Sequence, residues 1–150
     1  MSANSDVNQK ILRILQRDGR ISNTELAQRV GLSASACLRR VQELERTGVI
    51  KGYRAIIDPA AVGGGVTIFV TVGLSDHLRK DAAAFEKAMA AAPQVRECHN
   101  ITGSVEYLLR IEVADLDAYK SFHAEVLGAQ SQVRSITSHI CLSSSKDDRA

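Results

Sequence analysis

Two helix-start signals in close succession, within residues 21–53, constrain the fold of this chain more than any other feature. Ser22 and Ser33 each occupy the position of a helix N-cap, and Glu25 completes a capping box with Ser22. Gly31 lies between them, where a residue without a Cβ can take the left-handed conformation that ends a helix. The pattern predicts a short helix, a tight turn and a longer helix, which is helix-turn-helix organisation.

Apolar residues on both sides extend this pair to a three-helix unit. A preceding helix is predicted from residues at helical spacing, namely Val7, Ile11, Ile14 and Leu15. The third helix should run to about Thr47, with its inner face formed by Cys37, Leu38, Val41 and Leu44. The alternating run 49–57 then predicts a strand, half of a small wing.

Basic residues are concentrated in this front part. Residues 1–57 carry ten Lys or Arg and five Asp or Glu, a formal charge of +5, whereas residues 58–150 sum to −3. The asymmetry favours an anionic partner for the front part. Small residues on the outer face of the third helix would allow close approach to a major groove, and arginines could reach phosphates or guanine. A solvated helix with ordinary surface arginines is the alternative. The candidate DNA-binding residues are Ser22, Asn23, Ser33, Ser35, Ala36, Arg39, Arg40 and Lys51.

From Val66 onward the pattern indicates a second domain. Strands are predicted near 66–73, 95–101, 107–113 and 133–142, and helices at 80–92 and 116–127. The order β-α-β-β-α-β is that of a ferredoxin-like domain, so the fold class is α+β. The predicted organisation is a winged helix-turn-helix at 1–58, a Gly-rich linker at 59–65, a ferredoxin-like effector-binding and oligomerisation domain at 66–145 and a flexible tail at 146–150.

The segment from Asp18 to Pro59 resembles the signature of the Lrp/AsnC, or feast/famine, family of transcriptional regulators. The specific part is GLSxSxCLRRVxxLExxGVIxGY, which covers Gly31 to Tyr53. Ala36 departs from it, because many members carry Pro or Thr there. The resemblance implies a DNA operator as partner, and a homo-oligomer of dimers, often octamers that wrap DNA. It also implies a small-molecule effector, an amino acid or a relative, bound between dimers.

The turn between the second and third strands is the candidate effector site. The family's Gly-Asp-x-Asp-Tyr corresponds here to Gly103-Ser104-Val105-Glu106-Tyr107, so Ser104 replaces the first acid. Exposed amides and the Ser104 hydroxyl could hold a carboxylate, and Glu106 could pair with an ammonium group. An ordinary hairpin turn with a solvated acid is the alternative. The candidate effector-binding residues are Thr102, Gly103, Ser104, Glu106 and Tyr107, with Thr137, Ser138 and His139 of the last strand as weaker candidates.

Other chemistry finds little support in the sequence. The four histidines and three cysteines have no metal-ligand spacing, and no nucleophile elbow, P-loop or GxGxxG motif occurs. We therefore expect no metal, no cofactor and no enzyme activity. The absence of a long apolar run or signal peptide predicts a cytoplasmic protein without a membrane partner. The cysteines are expected to be small buried hydrophobes. Two alternatives remain, a redox-responsive regulator that switches through Cys98 or Cys141, and a metabolite-binding module whose front domain docks a protein.

Overall fold

The computed structural model describes residues 3–57, 61, 65–75 and 79–147. The chain divides between Ile56 and Ile57 into two compact units. Most of the predicted linker 59–65, the end of the predicted tail and residues 76–78 lie outside the described residues. Gly65, at the end of that linker, is described: a Cβ there would lie 2.9 Å from the carbonyl oxygen of Val113, so this glycine permits close backbone contact.

The first unit contains three helices, α1 (Ala3–Arg17), α2 (Asn23–Val30) and α3 (Ala34–Arg46). Both predicted N-caps are confirmed, because Ser22 Oγ accepts from the amide of Glu25 and Ser33 Oγ from the amide of Ala36. Gly31 ends α2 with φ 72° and ψ 37°, the left-handed conformation expected of it. The predicted helix-turn-helix is therefore present, with its turn set by local chemistry.

Six buried side chains form the core of this unit: Ile11, Leu26, Ala27, Val30, Cys37 and Leu44. They come from all three helices, so each helix is held by its apolar face. Leu38 differs from the prediction, since its side chain is 46% exposed instead of facing inward.

The prediction of a wing strand at 49–57 is wrong, because the structure has no strand there. These residues form bends and irregular backbone, with no ladder to another segment of the described chain. Gly52 has φ 151°, which interrupts the extended conformation that a strand requires. Val49, Tyr53, Ile56 and Ile57 are each more than half exposed. An alternating pattern alone does not form a strand without a partner for its backbone amides and carbonyls.

The second unit is a four-stranded antiparallel sheet with helices on one face. Its elements are β1 (Val66–Leu74), α4 (Arg79–Ala91), β2 (Val95–Asn100), β3 (Tyr107–Val113), α5 (Leu116–Phe122) and β4 (Val133–Ile140). The strand order is β2-β3-β1-β4, and β1 pairs antiparallel with both of its neighbours, β3 and β4. This order confirms the ferredoxin-like βαββαβ prediction. A π-helical turn at His123–Leu127 follows α5, where a continuous helix was predicted.

Strand parity separates the two faces of the sheet. Ile68, Val70 and Val72 of β1 are fully buried and face α4 and α5, together with Phe85 and Met89 of α4. The intervening side chains form the opposite face, which no helix of the described part of the second unit covers. That open face carries Thr67, Phe69, Thr71, Leu108, Arg110, Glu112, Thr137 and His139.

Candidate functional site

The N-terminal turn of α3 is a small polar surface. Ser33 Oγ lies 3.3 Å from the amide nitrogen of Ala36 and 3.3 Å from Ser35 Oγ. Ser33 and Ser35 are exposed and Ala36 is half-buried. Ser33 therefore caps the helix, and Ser35 remains on the outside. Small side chains leave the first turn of α3 open to a close neighbour such as the edge of a base pair.

Further along α3 the two arginines differ in their surroundings. Arg39 is exposed, whereas Arg40 is half-buried and donates from Nη1 to Asn8 Oδ1 of α1 at 3.1 Å. Arg40 thus links α3 to α1. The exposed Leu38 lies beside Arg39 and offers an apolar contact of the kind that suits a thymine methyl group. Sequence analysis missed Leu38 because helical spacing placed it next to the inward stripe.

Asn23 connects the starts of α2 and α3. Its Nδ2 donates to the carbonyl oxygen of Ala34 at 2.8 Å, and its buried Oδ1 has no hydrogen-bond partner among the described residues. Ser22 is occupied as the α2 cap, at 3.2 Å from the amide of Glu25. Both predicted contact residues therefore have structural roles in the turn. Lys51 is exposed, in the irregular segment after α3.

The arrangement presents one outer face of α3 on a fixed support. Ser35, Leu38 and Arg39 share this face, and the cap, the Asn23 bond and the Arg40 bond fix the helix behind it. A helix with a small first turn and an exposed guanidinium can enter a major groove and donate to phosphate or guanine acceptors.

The turn between β2 and β3 is the second candidate site. Thr102, Gly103 and Ser104 are exposed, and Gly103 has φ 135°, a conformation that favours glycine. Apart from its two chain neighbours, no described residue has an atom within 4 Å of where a Gly103 Cβ would stand. The turn therefore offers backbone amides and the Ser104 hydroxyl to the outside.

Glu106 is built into the end of the sheet. Its Oε2 accepts from the amide of Leu74 at 2.7 Å, and its own amide donates to the carbonyl of Val72 at 3.1 Å. The side chain is half-buried. Its carboxylate is thus held in place at the end of β1 by a main-chain bond, where it can face a cationic group.

Tyr107 does not fit the effector contact that sequence analysis assigned to it. Its side chain is 1% exposed and packs against Phe85, with ring centroids 4.7 Å apart. The hydroxyl donates to Glu86 Oε1 at 2.8 Å. Burial, with the acceptor Glu86, raises the pKa of Tyr107 to about 12. Tyr107 is a core residue that supports the turn from behind.

Sequence analysis missed three residues that lie near Glu106, namely Gly73, Arg134 and Ser135. A Cβ at Gly73 would stand 2.4 Å from Ser135 Oγ, 3.7 Å from Glu106 Oε2 and 3.8 Å from Arg134 Nη2. β1 and β4 change register between Gly73 and Leu74, opposite Ser135 and Val133. A glycine inside a strand marks a bulge or a close approach, and this was the signal available in the sequence.

The three weaker candidates on β4 do not form one group. Ser138 pairs with Val70 and lies on the helix-facing side, where its Oγ is 2.5 Å from Tyr119 Oη. Thr137 and His139 pair with Thr71 and Phe69 on the open face. Period-two alternation separates them, so a single ligand on one face cannot contact all three.

The cysteines differ from the expectation that all three are buried, since only Cys37 is. Burial raises the pKa of the half-buried Cys98 thiol, and the negative charge of the nearby Glu86 carboxylate raises it further. Burial likewise raises the pKa of Cys37. A raised pKa lowers the thiolate fraction, which disfavours Cys98 as a redox switch.

The described residues contain neither a cluster of metal ligands nor a membrane-spanning helix. Among the described residues, no three His, Cys, Asp or Glu side chains are grouped as a metal site would require. None of the helices in the described ranges is long and apolar enough to cross a membrane.

Each of the two units matches a known protein family model. The family model for the Lrp/AsnC ligand binding domain matches residues 67–150, and that for a winged helix-turn-helix DNA-binding domain matches residues 5–51. The leucine-responsive regulatory protein of Rhizobium meliloti (strain 1021) is 40% identical over 141 residues, 94% of this chain and 90% of that protein. The leucine-responsive regulatory protein of Escherichia coli K12 is 40% identical over 121 residues, 81% of this chain and 74% of that protein.

Solved structures give the same result. A transcriptional regulator of Neisseria meningitidis in complex with L-methionine superposes with a TM-score of 0.87 at 33% identity, covering 94% of this chain and 91% of that one. An AsnC family regulator of Agrobacterium tumefaciens gives a TM-score of 0.87 at 34% identity, covering 98% and 94%. This chain belongs to the Lrp/AsnC family of DNA-binding transcriptional regulators, with a helix-turn-helix unit followed by a ligand-binding domain.

Proposed function

We propose that this protein is a sequence-specific regulator that contacts its operator through the outer face of α3 and responds to an amino acid or an amino-acid metabolite. The observation that carries the DNA part is the exposed face of Ser35, Leu38 and Arg39 on a helix that is capped and braced from behind. Arg39 donates to guanine or phosphate, and Ser35 permits the close approach. Ala36 borders this face, and Lys51 adds a phosphate contact.

The test is binding to a duplex selected from a random-sequence library by the intact protein. Arg39→Ala should weaken binding to that duplex by about 1–3 kcal/mol, roughly 5- to 150-fold, if Arg39 contacts a base in the groove. Arg46→Gln is the matched control, because Arg46 also lies on α3 but is paired with Glu43 at 2.6 Å. Arg40 is unsuitable for the test, since its replacement would also break the bond to Asn8.

Unchanged affinity of the Arg39→Ala variant would refute the assignment of α3. Selection of no preferred duplex at all would favour the alternative in which the front unit docks a protein.

For the effector we propose the β2–β3 turn, with Glu106 facing the ammonium group and the exposed amides and Ser104 facing the carboxylate. The ligand-binding family model and the relative in complex with L-methionine support an amino acid as the class. Thr102 and Gly103 belong to the same turn, and Arg134 and Ser135 border it through Gly73. Thr137 and His139 are placed to line the site only from the open face of the sheet.

A thermal-shift screen of the twenty amino acids, including L-methionine and L-leucine, tests this proposal. A ligand present at 100 times its dissociation constant should add about 2.7 kcal/mol to the free energy of unfolding. Glu106→Gln keeps an acceptor for the amide of Leu74 and removes the charge, so it should abolish the shift. Glu125→Gln, an exposed helix position, is the control. A shift that survives Glu106→Gln would show that the ammonium group binds elsewhere.

We further propose that the protein is a homo-oligomer, built from dimers, with the effector site near an interface between dimers. Two features support self-association: the open face of the sheet, which carries Phe69 and Leu108, and the exposed apolar side chains of residues 49–57. A symmetric dimer would place two α3 helices on successive major-groove faces, about 34–36 Å apart. Sedimentation of a monomer at micromolar concentration would refute this part.

A further inference from the structure

Three arginines lie together on α1 and α2 of the first unit. Arg13 and Arg17 stand one turn apart on α1, and Arg29 lies at the end of α2. With Ile14 and Asp18 they line a surface cavity of about 350 Å³. The group is separate from the residues assigned to operator contact, and nothing in the proposed function uses it.

The charges of this group are only partly balanced. Arg29 Nη2 is 2.5 Å from Glu25 Oε1, and Asp18 Oδ1 accepts from the amide of Arg20 at 3.0 Å. Within the described part of the chain, neither Arg13 nor Arg17 has a carboxylate partner. Like charges four residues apart on a helix destabilise it. An anion placed between the two guanidinium groups would remove that repulsion.

The group faces away from α3. Asn8 marks the side of α1 that contacts α3, because it accepts from Arg40. At about 100° per residue, Arg13 and Arg17 point roughly 140° and 180° from Asn8. On α2, Asn23 marks the side that contacts the start of α3, and Arg29 points about 120° from it. From these angles we expect a straight duplex with α3 in its groove to leave this side of the unit uncovered.

We propose that Arg13, Arg17 and Arg29 form a second phosphate-binding surface, which holds DNA other than the segment contacted by α3. The inference rests on the proposed function, because it requires α3 to occupy the operator. The chemistry is contact of guanidinium groups with backbone phosphates, so it carries no sequence preference. The phosphates can belong to flanking DNA bent round the same protein or to a second duplex.

The experiment compares the intact protein with Arg13→Gln/Arg17→Gln over a series of salt concentrations. One probe is a short duplex that just spans the selected operator, and the other is a long fragment with that operator at its centre. Lys80→Gln/Lys87→Gln is the matched control, because it removes the same charge from exposed positions on α4. A two-colour capture assay adds a second labelled short duplex, to distinguish a second duplex from flanking DNA.

The arginine variant should bind the short duplex as tightly as the wild type, which also shows that it is folded. On the long fragment, or in capture of the second duplex, it should lose affinity. There log K should depend less steeply on log salt: the magnitude of the negative slope should decrease by about 0.9 for each phosphate contact removed, about 1.8 per protomer for two.

Equal behaviour of the arginine and control variants in both assays would overturn the proposal. So would a full loss already present on the short duplex, because the arginines would then belong to the operator contact. A failure of the proposed function can be distinguished from these outcomes, because the Arg39→Ala variant would then bind the short duplex as tightly as the wild type.

Discussion

Replacing Gly73 by alanine tests whether the end of the sheet is as tightly packed as its geometry indicates. The added Cβ would stand 2.4 Å from Ser135 Oγ, about 1 Å closer than ordinary contact, and Gly73 pairs with Ser135 across the ladder. To relieve this clash, either the Ser135 side chain must rotate or the hydrogen-bonded strands β1 and β4 must move apart. Overpacking of this kind costs about 1–3 kcal/mol, whereas the alanine itself favours a strand over glycine by about 0.5–1 kcal/mol. We expect a net loss of about 1–2 kcal/mol.

The assay is urea unfolding at fixed protein concentration, followed by hydrogen exchange on peptides that cover β1 and β4. For a slope of about 2 kcal/mol per molar urea, the midpoint of the second unit should fall by roughly 0.5–1 M. The double variant Gly73→Ala/Ser135→Ala lacks the opposing hydroxyl and should recover most of the loss. A Gly73→Ala variant as stable as the wild type, or no recovery in the double variant, would refute the packing argument.

Two further predictions concern titratable groups near Glu86. Tyr107→Phe should cost about 1 kcal/mol through loss of the 2.8 Å bond, and should remove from the ultraviolet titration a tyrosine with a pKa of about 12. Because the folded pKa lies above the usual 10.0, this group's contribution to stability is complete below pH 10 and is lost as pH rises towards 12. Cys98, whose pKa is also raised, should react with iodoacetamide at pH 8 more slowly in the folded protein than in urea, as measured by peptide mass. Equal alkylation rates would contradict the burial of the thiol.

Local chemistry made the first unit predictable from sequence. The caps at Ser22 and Ser33 and the left-handed Gly31 each act within a few residues, so the helix boundaries follow from short-range hydrogen bonds. The wing strand failed for the opposite reason. Strand formation at 49–57 depends on a partner segment, and the pattern of a single segment contains no information on that partner.

The candidate effector site was only partly predictable because its residues come from distant parts of the chain. Glu106 bonds to Leu74, 32 residues away, and Ser135 approaches across β1 and β4. Tyr107 could have been placed in the core from sequence, since it shares the parity of Leu109 and Ile111 on β3. Its assignment to the effector followed the resemblance to the family turn, and that pattern does not indicate which way the side chain faces.

The bond from Asn23 to Ala34 has a consequence for how specificity is produced. It links the first residue of α3 to the first residue of α2, so we expect it to restrict the movement of one helix start relative to the other. A phosphate held near the start of α2 would then also set the depth and angle at which Ser35 and Arg39 enter the groove. Loss of this amide would allow α3 several orientations and increase the entropy lost on binding. The variant would still bind DNA through its charge, but discrimination between operator and random sequence would decline more than overall affinity.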